Sequence, residues 1–275
     1  MVEQKMQSKP SLIEESSTIL IGILVLITAG IGVFMPGFYD GVVDPRYSTG
    51  IRTTDIISLI CVPIFVACVF WARKRNPVAR LIWVSLLVYI GYVYAVYAFD
   101  RMYTVFFPVY MALFGMDCFV AVSILSRFDV GQLAEYAKDL RLRRTTSIFL
   151  MFTGLILYII ELPIILSRIP DGIQAGGTPF MVLDISIVAP VAILTGIWLW
   201  QKHPWGAVLT AIFLIKAITI MTGFLIADYI DWFAGRLVSP GATIAFTIVY
   251  LLVYFFTWNY FSVFTKKKKL DLQTA

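Results

Sequence analysis

Three ionisable side chains interrupt long apolar runs of this chain: Asp117, Glu161 and Lys216. Such residues are rare and costly inside an apolar run, so each is by default a candidate for binding an ion, a proton or a polar solute. At 1.5 Å rise per residue, Lys216 and Asp117 lie about 16 Å and about 20 Å along their own runs, near the middle of an apolar layer. We predict that Lys216 and Asp117 pair or share a water-filled cavity as a buried polar centre, with Glu161 as an outer gate or relay.

Five further residues are candidates for lining a cavity beside that centre: Tyr89, Tyr92, Pro63, Pro163 and Pro190. A proline inside a helix leaves a backbone carbonyl without its helical hydrogen bond, which can open a site for water or a ligand. A tyrosine hydroxyl deep in an apolar region needs a polar partner. Packing kinks without a site are an equally good reading of the prolines.

Other chemistry finds little support in the sequence. The chain has one histidine, His203, which lies in a turn before Pro204, and its three cysteines all fall in apolar runs. Neither a nucleophile with an adjacent base nor a metal-ligand cluster is visible. The sequence therefore predicts no catalytic residue, no metal site and no cofactor, and it favours a protein that is not an enzyme.

The composition indicates what positions these residues. Hydrophobic residues make up 60% of the chain, charged residues 14%, and the mean hydropathy is +0.85. These values indicate an all-α integral membrane protein. Eight transmembrane helices are predicted, over 18–36, 54–72, 78–99, 104–126, 146–167, 182–201, 205–227 and 241–264.

Prolines recur at a constant offset of 127 residues, which indicates an internal repeat. Those at 36, 63 and 77 return at 163, 190 and 204, and Trp71, Asp44 and Gly50 return as Trp198, Asp171 and Gly177. Four spans per copy make this a 4+4 parallel repeat; the alternative is that prolines gather at helix ends. The predicted divisions are an N-terminal segment 1–17, a first half 18–126, a linker 127–145, a second half 146–264 and a tail 265–275.

The distribution of Lys and Arg predicts the orientation. With the N-terminus inside, the outer side receives only Arg46, Arg52, Arg101, Arg168 and Arg236. Both termini should therefore be cytoplasmic. The linker should form a helix on the inner membrane surface or a solvated connection, and the basic tail should meet anionic headgroups. No basic stripe on a soluble domain points to nucleic acid.

Asp184 and Pro190, followed by Pro204, Trp205 and Gly206 before the next apolar run, carry a family resemblance. Over about its C-terminal third, the chain resembles a family of uncharacterised prokaryotic polytopic membrane proteins with about eight spans. The resemblance implies a bacterial or archaeal plasma membrane, and it implies no activity and no catalytic residue.

Two classes of function fit these observations, and a third stands behind them. The broken spans, the repeat and the buried charges favour a transporter of a small solute or ion. The alternative is a non-catalytic membrane subunit or assembly protein, acting with a membrane protein partner or as a homo-oligomer. The third is a membrane-embedded lipid-modifying enzyme.

Overall fold

The computed structural model describes residues 8–137, 142–169, 178–236 and 239–273. This part of the chain is all-helical, with ten α-helices and one π-helical segment, Asp184–Val188, between the seventh and the eighth. In chain order the helices are α1 Leu12–Phe34, α2 Pro45–Ala72, α3 Pro77–Phe99, α4 Phe107–Ser126, α5 Val130–Ala137, α6 Arg143–Arg168, α7 Thr178–Leu183, α8 Ala189–Trp200, α9 Pro204–Phe233 and α10 Pro240–Gln273.

Eight stretches within the described residues are long and apolar enough to cross a membrane. They comprise α1 to α4, α6, the combined segment Thr178–Trp200, α9, and Pro240–Val263 of α10. The prediction of eight spans is confirmed at this level. The internal repeat stays a prediction, and Asp171 and Gly177 lie outside the described residues.

Two helices begin earlier than the predicted spans because their first turns are capped. Ser11 and Glu14 form a reciprocal capping box at the start of α1, in which each side chain accepts from the other residue's backbone N–H. At α2, Asp44 accepts from the Arg46 N–H and Pro45 occupies the first helical position. Hydrogen bonds from the Arg46 side chain also lower the pKa of Asp44 to about 2. The helices therefore start at Leu12 and Pro45, ahead of residues 18 and 54.

The described chain divides into two compact units. The N-terminal unit contains residues 8–128 and 214–257, and the central unit contains residues 129–213 together with the chain from 258 onward. In the N-terminal unit, α1 packs against α2 and α4, and α3 packs against the same two helices. This arrangement is an up-down-up-down four-helix bundle. Most of α3 is buried, including Trp83 and Arg80.

Polar contacts close the end of the bundle where α1 and α3 begin. The buried Glu14 carboxylate accepts a hydrogen bond from Ser123 of α4 at 2.8 Å. Arg80 is 1% exposed and donates to Ser8 O and to Ile124 O. Its guanidinium therefore holds three segments together: the start of α3, the chain at Ser8 and the end of α4.

Parts of α9 and α10 complete the N-terminal unit. Gly223 of α9 lies against the backbone of Thr54 on α2, where an added Cβ would be 3.5 Å from the Thr54 Cα. Tyr229 of α9 hydrogen bonds Thr247 of α10 at 3.1 Å. These contacts hold the two later helices to each other and to the bundle.

In the central unit, α6 packs closely on α8 because small residues face each other. An added Cβ on Gly154 would lie 2.6 Å from the Ala189 carbonyl oxygen, and one on Gly196 would lie 2.7 Å from Ser147 O. Glycine at such crossings lets two helix backbones approach, as is common in membranes. Tyr260 of α10 donates to Ala207 O of α9 at 2.6 Å.

The predicted linker and tail are partly helical. Within the linker, α5 covers Val130–Ala137, and residues 138–141 lie outside the described part. Instead of ending near residue 264, α10 continues to Gln273, so the run Lys266–Lys269 lies on a helix. Placement of either segment on a membrane surface stays a prediction.

Candidate functional site

Asp117 is a buried acid on the inward face of α4. Positions Tyr110, Leu113, Asp117 and Ile124 of this helix are buried at helical spacing, so the carboxylate faces the bundle interior. The residue is 1% exposed. It packs on α3 at Gly91, where an added Cβ would lie 3.0 Å from the Asp117 Cβ. Neither carboxylate oxygen accepts a hydrogen bond from any described residue.

Asp55 is a second buried acid, and each of its carboxylate oxygens accepts a hydrogen bond. The Tyr39 hydroxyl donates to its Oδ2 at 2.5 Å, and the Tyr97 hydroxyl donates to its Oδ1 at 2.9 Å. Asp55 is 1% exposed. Gly32 on α1 makes room for the pair, since an added Cβ would overlap both Asp55 Oδ2 and the Tyr39 hydroxyl.

Tyr94 connects the surroundings of the two acids. Its hydroxyl hydrogen bonds Thr28 at 2.6 Å, and its ring meets that of Tyr97 edge to face at 5.5 Å. Both Asp55 and Asp117 lie within electrostatic reach of Tyr94. We call the set Tyr39, Asp55, Tyr94, Tyr97 and Asp117 the carboxylate–tyrosine cluster. It runs through the interior of the bundle from the α1–α2 loop to α4.

Tyr39 is the member of the cluster that lies outside the apolar helices. It is 5% exposed, in the loop between α1 and α2. Burial, followed by the nearby Asp55 carboxylate, raises the pKa of Tyr39 far above its ordinary value. The phenol therefore stays protonated and remains a hydrogen-bond donor to Asp55.

Lys216 is buried beside an aromatic ring. It is 8% exposed, and its Nζ lies 3.6 Å from the centroid of the Tyr92 ring. A cation over a ring face is attracted by the ring quadrupole, so Tyr92 offsets part of the cost of burial. The structure thus brings two predicted residues together. It forms no hydrogen bond between Lys216 and Asp117, whose oxygens accept none from described residues. A shared cavity stays a prediction.

Glu161 lies on α6 in the central unit, two residues before Pro163. Its predicted role as a gate or relay stays a prediction. Pro63 lies inside α2, and Pro163 inside α6. Their role in lining a cavity stays a prediction. Tyr89 is fully buried, and its hydroxyl donates to Thr54 O at 3.3 Å, which supplies the expected polar partner.

Pro190 follows the π-helical segment and has a clear local effect. Proline lacks the N–H that a helix would direct back to the preceding turn, so carbonyls before it lose their helical donor. Tyr158 of α6 donates its hydroxyl to Ile185 O in that segment at 3.1 Å. A side chain of the neighbouring helix thus satisfies a carbonyl that Pro190 cannot. The role of Pro190 in lining a cavity stays a prediction.

Asp55 was not singled out in the sequence, although this residue stands second in the predicted span 54–72. The signal was the pair Asp44–Pro45, a helix-start signature that places Asp55 about 15 Å inside α2 at 1.5 Å per residue. Among the described residues, no group of three or more His, Cys, Asp or Glu could hold a metal ion.

The described residues form eight apolar stretches long enough to cross a membrane, and the N-terminal unit buries Asp55, Asp117 and Lys216; the chain is a multi-pass α-helical membrane protein. No protein-family model, curated protein or solved structure matches the chain.

Proposed function

We propose that this protein transports a small solute or ion, and that Asp117 is the group that is loaded and unloaded during transport. The observation that carries the proposal is a buried carboxylate to which no described residue donates a hydrogen bond. An ionised carboxylate in such a place is costly, and a bound proton or cation removes that cost. Alternating between loaded and empty forms is the step that a coupled transporter requires.

The rest of the carboxylate–tyrosine cluster supports a route to Asp117. Hydroxyl and carboxylate groups that hydrogen bond at 2.5 to 2.9 Å link Tyr39, Asp55 and Tyr97, and Tyr94 lies within electrostatic reach of both Asp55 and Asp117. In this proposal a proton passes along the hydrogen-bonded groups of Tyr39, Asp55 and Tyr97, and water bridges the remaining step to Asp117, which accepts no hydrogen bond from the described residues. In this proposal, Lys216 over Tyr92 is a fixed cation that sets the charge of the interior, and Glu161 is the outer gate.

Proton flux tests the proposal before the solute is known. The full chain is reconstituted in vesicles that contain a pH-sensitive dye, and a potassium diffusion potential drives protons while candidate solutes are added outside. Wild type should acidify the lumen with at least one solute, and Asp117→Asn should abolish this response. Because Asp117 accepts no hydrogen bond from described residues, the variant should keep its stability within about 1 kcal/mol.

Asp40→Asn is the matched control, because Asp40 is exposed in the α1–α2 loop and should leave flux unchanged. Equal flux in wild type and Asp117→Asn for every solute that moves would contradict the proposal.

A second candidate is a non-catalytic membrane subunit. It is favoured by α6, whose buried residues all precede residue 155, so that Ile159 and Ile160 are exposed to lipid or to a partner. Extraction in native lipid discs distinguishes the two functions: a stoichiometric membrane protein partner, with no flux from the isolated chain, would favour the subunit. A second copy of this chain would be the homo-oligomeric form.

We further propose a plasma membrane location, both termini in the cytoplasm, basic segments on anionic headgroups and a 4+4 parallel repeat. The charge distribution supports the orientation and the headgroup contacts, and the proline offset supports the repeat. The plasma membrane location is supported by the family resemblance alone. Reporter fusions at each end test the orientation. An active periplasmic reporter at either end would contradict it.

A further inference from the structure

A pocket opens in the N-terminal unit beside the first turns of α2. It has a volume of about 380 Å³, which is in the range of small-ligand sites. Its polar lining comes from two arginines, Arg52 and Arg236, and from the hydroxyl residues Ser48, Thr49 and Thr53. We call it the Arg52 pocket. It shares no residue with the carboxylate–tyrosine cluster.

The two arginines of the pocket differ in what holds them. Arg236 Nη1 donates to Thr49 Oγ1 at 2.7 Å and to Asp231 Oδ1 at 2.8 Å, and Thr49 donates to the same oxygen at 2.8 Å. This closed arrangement fixes Arg236 and neutralises its charge. Arg52 makes no hydrogen bond or ion pair with any residue that the structure describes. The pocket therefore carries one uncompensated positive charge.

The hydroxyl groups in the pocket already donate hydrogen bonds to other groups of the protein. Ser48 donates to Pro45 O at 2.9 Å, and Thr53 donates to Gly50 O at 2.9 Å. The N–H groups available to a ligand are consequently those of the guanidinium groups, above all of Arg52. A planar fork of N–H donors matches the two oxygens of a carboxylate.

The remaining wall of the pocket is apolar and consists of Val33, Ile56 and Ile230. A ligand that fits both parts has an oxyanion at one end and a short aliphatic body at the other. We propose that the Arg52 pocket binds an aliphatic carboxylate, with its oxyanion on Arg52 and its chain against Val33, Ile56 and Ile230. The carboxylate can be a dissolved short-chain acid or a fatty acid from the bilayer.

This inference goes beyond the proposed transport, because the carboxylate can bind to the Arg52 pocket without a gradient across the membrane. A chain that binds the carboxylate but moves no solute would keep the inference and lose the proposed function.

Calorimetric titration of the purified full chain with sodium butyrate at constant ionic strength tests the inference. Wild type should bind saturably, and Arg52→Gln should weaken binding at least about tenfold, since it removes a charge-assisted fork. Arg46→Gln is the matched control: Arg46 lies on the same helix, its guanidinium binds Asp44, and it does not line the pocket. It should bind as wild type does. Butanol, which keeps the chain and lacks the charge, should not bind.

Competition distinguishes the two sources of the ligand. If oleate displaces butyrate in detergent and uncharged monoolein does not, a fatty acid from the bilayer is the occupant. If oleate does not displace butyrate, the occupant is a dissolved short-chain acid. Either result supports the inference. It is overturned by Arg52→Gln binding butyrate as wild type does, by butanol binding equally well, or by the absence of saturable binding to wild type.

Discussion

Replacing Gly32 with alanine should destabilise the N-terminal unit, although the same change is favourable in most helices. Alanine inside a helix is usually better than glycine by about 1 kcal/mol, because glycine loses more backbone freedom on folding. At Gly32, however, the new methyl would occupy the position of Asp55 Oδ2 and the Tyr39 hydroxyl. At least one of these groups must withdraw, which breaks the hydrogen bond of 2.5 Å between them.

The magnitude follows from three contributions. Loss of a hydrogen bond to a carboxylate costs about 1.5 to 3 kcal/mol. Forcing a side chain out of a packed interior costs about 1 to 3 kcal/mol. Against these stands the helix-propensity gain of about 1 kcal/mol, so that the free energy of unfolding should fall by about 1.5 to 5 kcal/mol.

The assay is reversible unfolding in mixed micelles, followed by tryptophan fluorescence. Gly30→Ala is the matched control, because Gly30 lies on the same helix and an added Cβ there meets nothing within 4 Å. It should be neutral or stabilising by up to about 1 kcal/mol. In an Asp55→Ala background, the cost of Gly32→Ala should shrink, since one obstacle is gone. Equal stability of Gly32→Ala and Gly30→Ala would refute the reasoning.

Three further predictions concern other parts of the chain. Because burial and the Asp55 carboxylate raise the pKa of Tyr39, its hydrogen bond contributes stability below the ordinary tyrosine pKa of about 10 and loses it above. The difference in melting temperature between wild type and Tyr39→Phe should therefore shrink from about pH 8 to about pH 11. Gly154→Ala should destabilise the central unit by about 1 to 3 kcal/mol in the same micelle assay, because its methyl would press on the α8 backbone. Tyr92→Leu should cost about 1 to 2 kcal/mol by removing the ring under Lys216, and Tyr92→Phe, which keeps a ring, should cost less.

The spans could be predicted because apolar length alone defines a membrane helix, and the eight stretches confirm this. The depth of Lys216 in its span could also be estimated, from helical rise. Rise gives only one coordinate, however, and it leaves open which way a side chain points and which neighbour it meets. For this reason the contact of Lys216 with Tyr92 could not be derived from depth, and the pairing or shared cavity of Lys216 and Asp117 stays a prediction.

Helix starts explain the other difference between sequence and structure. Hydropathy marks where a chain becomes apolar, whereas caps mark where a helix begins. Asp44 and Pro45 begin α2 within a polar stretch, and this places Asp55 inside the bundle instead of at its rim. Reading the caps before the hydropathy would have identified Asp55 as a buried acid.

The π-helical segment before Pro190 divides one span into two helical parts whose buried residues do not lie on one continuous stripe. Buried positions run Pro179 and Leu183 on one side and Ala189, Ala192 and Leu199 on the other, with none in Asp184–Val188. Leu183 and Ala189 lie six positions apart, a spacing that does not occur in a continuous buried stripe of period 3.6. The buried residues on either side of the segment thus form two separate stripes. The span therefore consists of two short helices joined end to end, and each has its own buried face.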